Sequence, residues 1–331
     1  MSQYVSRRDL LRRPRRTTGA TAALSLLAVL GATVALRAEY AGNPAAYSAR
    51  SRGHDALWLG HAWVDGRRTP ADLERLRARV EGTGIHDLYV HTGPLGDDGA
   101  LSPSLYPAAA GFLAGVRRVL PGVRVQARLG DTVAHDGAAG LRPDDPAVRA
   151  RIHASARQVL DAGFQGVKVA GRCDRIAVMA YDTAMPAESL YGGYVAQQTA
   201  LALEVTPATT DLLIGLPAFH TGNMGHHAYA ETVGAAVRGA RVSLARHARD
   251  RRMFGLALYA DFDATAGAWQ AYRTGWGHTV IAVRTRRHPG DHPDNGTAAR
   301  DAIRRRLVPH AEEQQPGRGR HRPLRPEGGA G

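Results

Sequence analysis

Polar and aromatic side chains recur at the ends of short apolar runs. His61, Trp63 and Asp65 follow the run 56–60, His91 closes 87–91, and Asp131 follows 123–129. Tyr181 and Asp182 close 175–182, Pro217 and His220 follow 211–216, and Tyr259 and Asp261 follow 254–258. Carboxylates, imidazoles and aromatic rings gathered at one end of a sheet suit a sugar or another polyhydroxylated ligand. Each residue also has a plainer role open to it. His61 or His91 can be a hydrogen-bonded structural histidine, Trp63 and Tyr259 can plug the top of the sheet, and Asp131 can cap a loop.

A metal site is the next chemistry to weigh. His61, His91, His220, His226, His227 and Asp131 are potential ligands, but no His-x-His follows the first run and no His-Glu-x-x-His occurs. His226 and His227 sit in a Gly-rich loop, where exposure to solvent is expected. No metal and no cofactor is therefore expected. Cys173 is the single cysteine, so no intramolecular disulfide can form.

The elements that would position these residues alternate. Thr69 and Pro70 open a helix as N-cap and first residue; Leu73, Leu76 and Val80 form its apolar stripe, and Gly82 and Gly84 end it. Helices are expected again over 107–120, from Pro146 through Leu160, over 191–204, over 229–245 and over 265–272. The apolar runs between them read as buried parallel strands. With seven strand candidates and no glycine-rich phosphate fingerprint, the fold class expected is α/β, a (β/α)8-type TIM barrel spanning 54–276. The barrel is expected to be incomplete. The strand candidates 163–169 and 175–182 leave only residues 170–174 between them, whereas a parallel crossover takes roughly a dozen residues. The fourth and fifth strand region thus reads as truncated.

Charge separates the ends from the middle. The net charge is +13, but residues 1–37 hold 7 Arg and 1 Asp, and residues 277–331 hold 11 Arg and 6 acids. The middle is close to neutral, Lys168 is the one lysine, and nucleic acid is not an expected partner. Residues 1–16 read as a basic cytoplasmic segment. The uncharged run 17–36 reads as a transmembrane signal anchor, about 30 Å long as a helix. Residues 37–53 read as a linker, and 277–331 as a disordered basic tail. The Arg cluster before the run places the barrel outside the cytoplasm, in a single-pass protein of the cell membrane. Secretion after cleavage near Thr33-Val34-Ala35 is the alternative.

Three segments carry a resemblance. Residues 177–182 (Ala-Val-Met-Ala-Tyr-Asp) resemble the sixth-strand Met-x-Tyr-Asp signature of chitinase-like, family 18 glycoside hydrolases. Residues 215–219 (Gly-Leu-Pro-Ala-Phe) resemble their seventh-strand Gly-Leu-Pro-x-Tyr/Phe, and residues 163–167 (Gly-Phe-Gln-Gly-Val) are similar to the start of their fourth strand. Residues 54–276 also resemble a group of membrane-anchored, glycosidase-like barrels from high-GC bacteria. The resemblance implies an extracytoplasmic glycan as partner and acid catalysis assisted by the substrate's acetamido group, which Tyr181 and Asp182 would help to hold. It also implies a catalytic glutamate at the end of the fourth strand. Here residues 168–172 (Lys-Val-Ala-Gly-Arg) hold no carboxylate, the third-strand Ser-x-Gly-Gly is absent, and Tyr259 stands where Trp is common. Glu188 is the one remaining glutamate expected in a loop at the top face. It is the candidate substitute acid, or else an ordinary helix-start carboxylate. The catalytic candidates are thus Tyr181, Asp182 and Glu188. The substrate-binding candidates are His61, Trp63, Asp65, His91, Asp131, His220, Tyr259 and Asp261. The reading is a glycoside hydrolase-like protein with impaired catalysis. The alternatives are an inactive glycan-binding or surface protein and, third, a metal-dependent hydrolase.

Overall fold

The computed structural model describes residues 14–42, 50–130, 134, 139–168, 175–222, 224–248 and 250–277, without the side chains of 14–20 and 168. The basic segment before Pro14, most of the linker, Asp131, the junction 169–174 and the tail after Gly277 lie outside the described residues. In chain order the elements are α1 (Pro14–Ala41), β1 (Asp55–Leu59), α2 (Pro70–Val80), β2 (Ile85–Pro94), α3 (Ala109–Val119), β3 (Arg124–Gly130) and α4 (Pro146–Asp161). They continue as β4 (Gly166–Lys168), β5 (Arg175–Met179), α5 (Glu188–Val205), β6 (Asp211–Pro217), α6 (Val233–His247), β7 (Phe254–Tyr259) and α7 (Ala266–Tyr272).

Local chemistry starts the helices where the sequence places caps. Thr69 and Asp72 form a reciprocal capping box on α2, with Pro70 at its first position. Asp145 caps α4 through the Ala147 N–H, Thr232 caps α6 through Ala235, and Thr265 caps α7 through Ala268. β1, β6 and β7 are buried on both faces, as parallel strands between helices and an interior must be, whereas β3 alternates buried with half-buried residues and β5, at the open seam, is half-exposed.

The strands pair in parallel in the order β4-β3-β2-β1-β7-β6-β5. The first strand thus lies beside the last, which is the closure step of a barrel. The open seam falls between β4 and β5, on either side of the junction too short for a crossover helix. A flat sheet would set β2 and β5, four strands apart in this order, about 19 Å from each other. Yet the Arg175 guanidinium on β5 bonds both Asp87 and the Tyr89 hydroxyl of β2, the latter at 3.2 Å. The sheet is therefore curled, and the fold is an incomplete α/β barrel.

Alternation sorts the strand side chains. Ala56, Trp58, Tyr89, Leu213 and Ala257 pack together inside the barrel. Leu57, Leu88, Val90, Val125, Leu212, Ile214 and Leu256 face the helices in the larger core. At the base, Arg175 also bonds Asp211 of β6, Arg124 donates to Asp87 at 2.9 Å, and Gln126 donates to its other oxygen at 2.7 Å. A second buried carboxylate, Asp55, ties β1 to its neighbours. It accepts from Ser51 at 2.6 Å, Tyr272 at 2.7 Å, the Leu256 N–H at 2.8 Å and Trp276 at 2.9 Å.

Helix α1 runs on past the uncharged stretch to Ala41, and its last turns sit on the barrel. A Cβ added to Gly193 of α5 would lie 2.0 Å from the Leu36 carbonyl oxygen, so only glycine permits this approach. Arg238 of α6 lies over the Tyr40 ring at 4.9 Å and donates to the Tyr40 carbonyl at 3.1 Å, while Arg246 pairs with Glu39. Residues 21–40 are long and apolar enough to cross a membrane, a description that a signal sequence near an N-terminus meets equally.

The base network sets an acid limit on stability. Burial alone would raise the Asp87 carboxyl; His86, Arg175 and Arg124 more than offset it and hold the group well below the usual carboxylate range. Burial opposes His54 and Arg175 at Asp211 in the same way, with a net lowering. Groups depressed on folding stabilise the fold above their unfolded pKa, about 3.9, and that contribution is lost as pH falls through the folded value. Unfolding free energy should therefore fall on acidification below about pH 4. Arg175→Met should cost about 3–5 kcal/mol at neutral pH, because two buried carboxylates lose the guanidinium they share, and should flatten the acid slope. Denaturant titrations of both proteins from neutral pH to pH 2 test this, and equal slopes would refute it.

Candidate functional site

The C-terminal ends of the strands carry two stitched groups of side chains. The first joins the loops after β1 and β7. Trp63 Nε1 donates to Asp261 at 2.8 Å, and the Gly60 N–H donates to the other Asp261 oxygen at 2.9 Å. Both residues are buried, and the Trp63 ring packs on Phe112 of α3 and beneath Arg68. Burial raises the Asp261 carboxyl, partly countered by Trp63 and Gly60. The pair clips two loops together on the helix side. Asp65 is held by Arg67 through a 2.7 Å bond, which lowers its carboxyl.

His61 and His91 meet edge to face, with ring centres 5.6 Å apart. His61 Nδ1 lies 3.1 Å from the His91 carbonyl oxygen, so this nitrogen carries the proton and donates. Burial, with Arg128 and His61 nearby, lowers His91 to about 4, leaving a neutral imidazole at pH 7. His220 is exposed, and its N–H donates to Asp263 at 3.2 Å.

The second group is an aromatic wall with an acid beside it. Tyr181 stacks on Tyr259 at 5.5 Å and 20°, Phe219 meets Tyr181 edge-on at 5.6 Å, and Phe262 stands at the rim, 6.4 Å from Tyr259. Burial raises the Tyr181 hydroxyl well above its ordinary range. Asp182 adopts a left-handed backbone, φ 57°, which Asp tolerates better than most residues, and its side chain is 51% exposed. Burial raises its carboxyl, with His226 opposing.

Behind Asp182 lies a pair that the sequence reasoning missed. His226 is only 1% exposed, which corrects the expectation of a solvent-exposed histidine there. Its Nδ1 is 3.3 Å from Glu231 and 3.8 Å from Asp182. Glu231, equally buried, accepts the Thr183 N–H at 3.2 Å. The Ala184 N–H donates to the Gly225 carbonyl at 2.8 Å, so the loops after β5 and β6 are sewn together. Phe219 covers the His226 ring at 4.3 Å and seals it from water. The available signal was spacing: His226 and Glu231 are five residues apart, close enough for one loop to return its own acid to its own imidazole.

Glu188 is the first residue of α5 and accepts from Thr232, the α6 cap, at 2.9 Å. That places it on the outer rim. A groove of about 270 Å³ opens between the starts of α6 and α7, lined by Phe219, His220, Thr232, Gly234, Thr265 and Gly267. Among the described residues no group of three or more His, Cys, Asp or Glu is arranged to hold a metal ion. The structure thus brings Tyr181, Asp182 and Tyr259 together, and His61 with His91. It turns Trp63 and Asp261 toward each other and sets Glu188 and His220 apart.

No protein-family model matches the chain, and no curated protein matches it. Similar solved structures include a group IV chitinase from Ostrinia furnacalis, 12% identical over 56% of this chain and 48% of that one, with a TM-score of 0.27. A GH18 chitinase from Flavobacterium johnsoniae is 16% identical over 55% and 51%, with a TM-score of 0.26. The class V chitinase from Nicotiana tobaccum is 14% identical over 56% and 49%, with a TM-score of 0.27. The chain spans about half the length of such structures. At these values the barrel assignment rests on the strand order and cross-barrel contacts above.

Glu231→Ala should leave the Thr183 N–H and His226 Nδ1 without their buried acceptor. Each orphaned donor costs about 1–3 kcal/mol. Hydrogen exchange at the Thr183 and Ala184 amides should accelerate, while the β1 amides stay protected. Unchanged exchange in 182–187 would show that Glu231 does not hold the loop.

Proposed function

We propose that this chain is a glycoside hydrolase-like protein that binds a glycan at the C-terminal ends of its strands and has lost most or all catalysis. The observation that carries this reading is the wall of Tyr181, Tyr259 and Phe219 with half-exposed Asp182 beside it. Flat rings offer a sugar's apolar face a rigid contact, and one oriented carboxylate accepts from its amide or hydroxyl groups. The Met-x-Tyr-Asp resemblance supports an N-acetylated sugar. The absence of a carboxylate from residues 168–172 supports impaired catalysis. A second reading, residual acid catalysis, is favoured by the raised carboxyl of Asp182, the direction a general acid needs. In that reading Asp182 is the acid at the mouth, and Glu188, occupied by Thr232, is not. The Arg cluster followed by the apolar helix supports an extracytoplasmic barrel, anchored or secreted.

The test is titration of chitotetraose into the full chain in detergent micelles, with a chromogenic chito-oligosaccharide assay alongside. Binding should be weakened by Tyr181→Ala and Asp182→Asn, by roughly 1–3 kcal/mol for a lost charge-assisted bond, and left unchanged by Glu188→Gln. Turnover should stay far below the roughly 10 s⁻¹ median of enzymes. Turnover near that value would overturn the loss of catalysis, and absence of any glycan binding would overturn the reading.

A further inference from the structure

The barrel interior holds three guanidinium groups on β3 and β5 whose surroundings differ. Two lie at the base and are neutralised: Arg175 by Asp87 and Asp211, and Arg124 by Asp87. Arg128 lies two rungs above Gln126's neighbour Arg124 on the same inward face of β3. Side chains alternate along a strand, and both Arg124 and Gln126 reach the inward Asp87, which fixes the face for Arg128 as well. Its register partner on β2 is His91, at the mouth. Its positive charge disfavours protonation of His91 and opposes the burial that raises the Tyr181 hydroxyl.

Arg128 is partly buried, and its side chain has no carboxylate partner among the described residues. Of the described acids of the mouth, Asp65 is held by Arg67 and Asp261 by Trp63 and Gly60, while Asp182, half exposed, lies beside His226. The histidines add no negative charge. The register partner of Arg128 on β4 is Lys168, in the segment where the resemblance calls for acids.

We propose that Arg128 is a specificity-determining residue for an acidic glycan, and that a sugar carboxylate supplies the counter-charge that no described residue gives it. The inference rests on the glycan-binding reading and names its substrate class. A guanidinium presents a planar fork that matches a carboxylate in two parallel bonds, and a half-buried, unneutralised one gains most from such a partner. The aromatic wall would take the sugar ring while Arg128 takes its acid.

The test compares three probes on the full chain in detergent micelles by calorimetric titration: a hyaluronan tetrasaccharide, its methyl ester, and chitotetraose. The tetrasaccharide should bind roughly tenfold tighter than its methyl ester, the low end of what a charge-assisted bond supplies, and the preference should shrink as salt is raised. Arg128→Gln should abolish the preference while leaving the affinities for the ester and chitotetraose within about twofold. The comparison of acid with ester in the unmodified chain needs no variant, so it stands even where the Arg128→Gln protein fails to fold. Equal binding of acid and ester, or a preference that survives in folded Arg128→Gln, overturns this proposal and leaves the glycan reading intact. Failure of all three probes to bind overturns both.

Discussion

A single guanidinium spans what the sheet leaves open. Arg175 leaves β5 at the base of the barrel and reaches Asp211 on its own side and Asp87 on the far side. Without it, β2 and β5 would be related through the long way round, by four strand pairings, and the seam strands β4 and β5 by six. An open parallel sheet has edges with unpaired main-chain groups, and curling brings those edges near each other. Here the curl is tied by charge. Its cost is two carboxylates and an arginine taken largely out of water, an arrangement that is strong when complete and fragile when any member is removed.

The upper half of the barrel is built by a different device. Asp261 and Glu231 each serve as a buried acceptor around which two loops are fastened, one pair of loops on each side of the mouth. Neither carboxylate is free to meet a ligand. They hold Gly60, Trp63, Thr183 and His226 in place so that Tyr181, Asp182 and Tyr259 present a fixed surface. Among the described residues that surface presents a half-exposed acid, two tyrosines and two phenylalanines, with His61, His91 and Arg128 on the β2 and β3 side.

Much of this was legible in the residues. The cap at Thr69, the helix start at Pro146, the apolar runs and the five-residue gap after Val169 were enough to infer parallel strands, helices and a missing unit. Local signals of that kind depend on neighbours in sequence. What was not legible depends on partners far apart. Trp63 read as a sugar platform because its strand-end position allows it, but the distant Asp261 turns it inward. Glu188 read as a loop acid because the start of α5 lies three residues earlier than the periodicity suggested. His226 read as exposed because Gly222 and Gly225 surround it, but Phe219 closes over it. Arg175 looked like the polar start of a strand, and nothing local marks it as the tie across the seam.

The seating of α1 on α5 and α6 has a mechanical consequence. The carbonyl of Leu36 rests against Gly193, and Arg238 and Arg246 grip Tyr40 and Glu39. The last turns of the helix are thereby fused to the barrel, with no slack between them. A domain on a flexible leash explores a hemisphere and meets targets at any angle. One rigidly mounted on its own helix behaves as a head on a shaft: wherever α1 is held, the mouth keeps one tilt and one height, and rotation about the helix axis is the motion left to it.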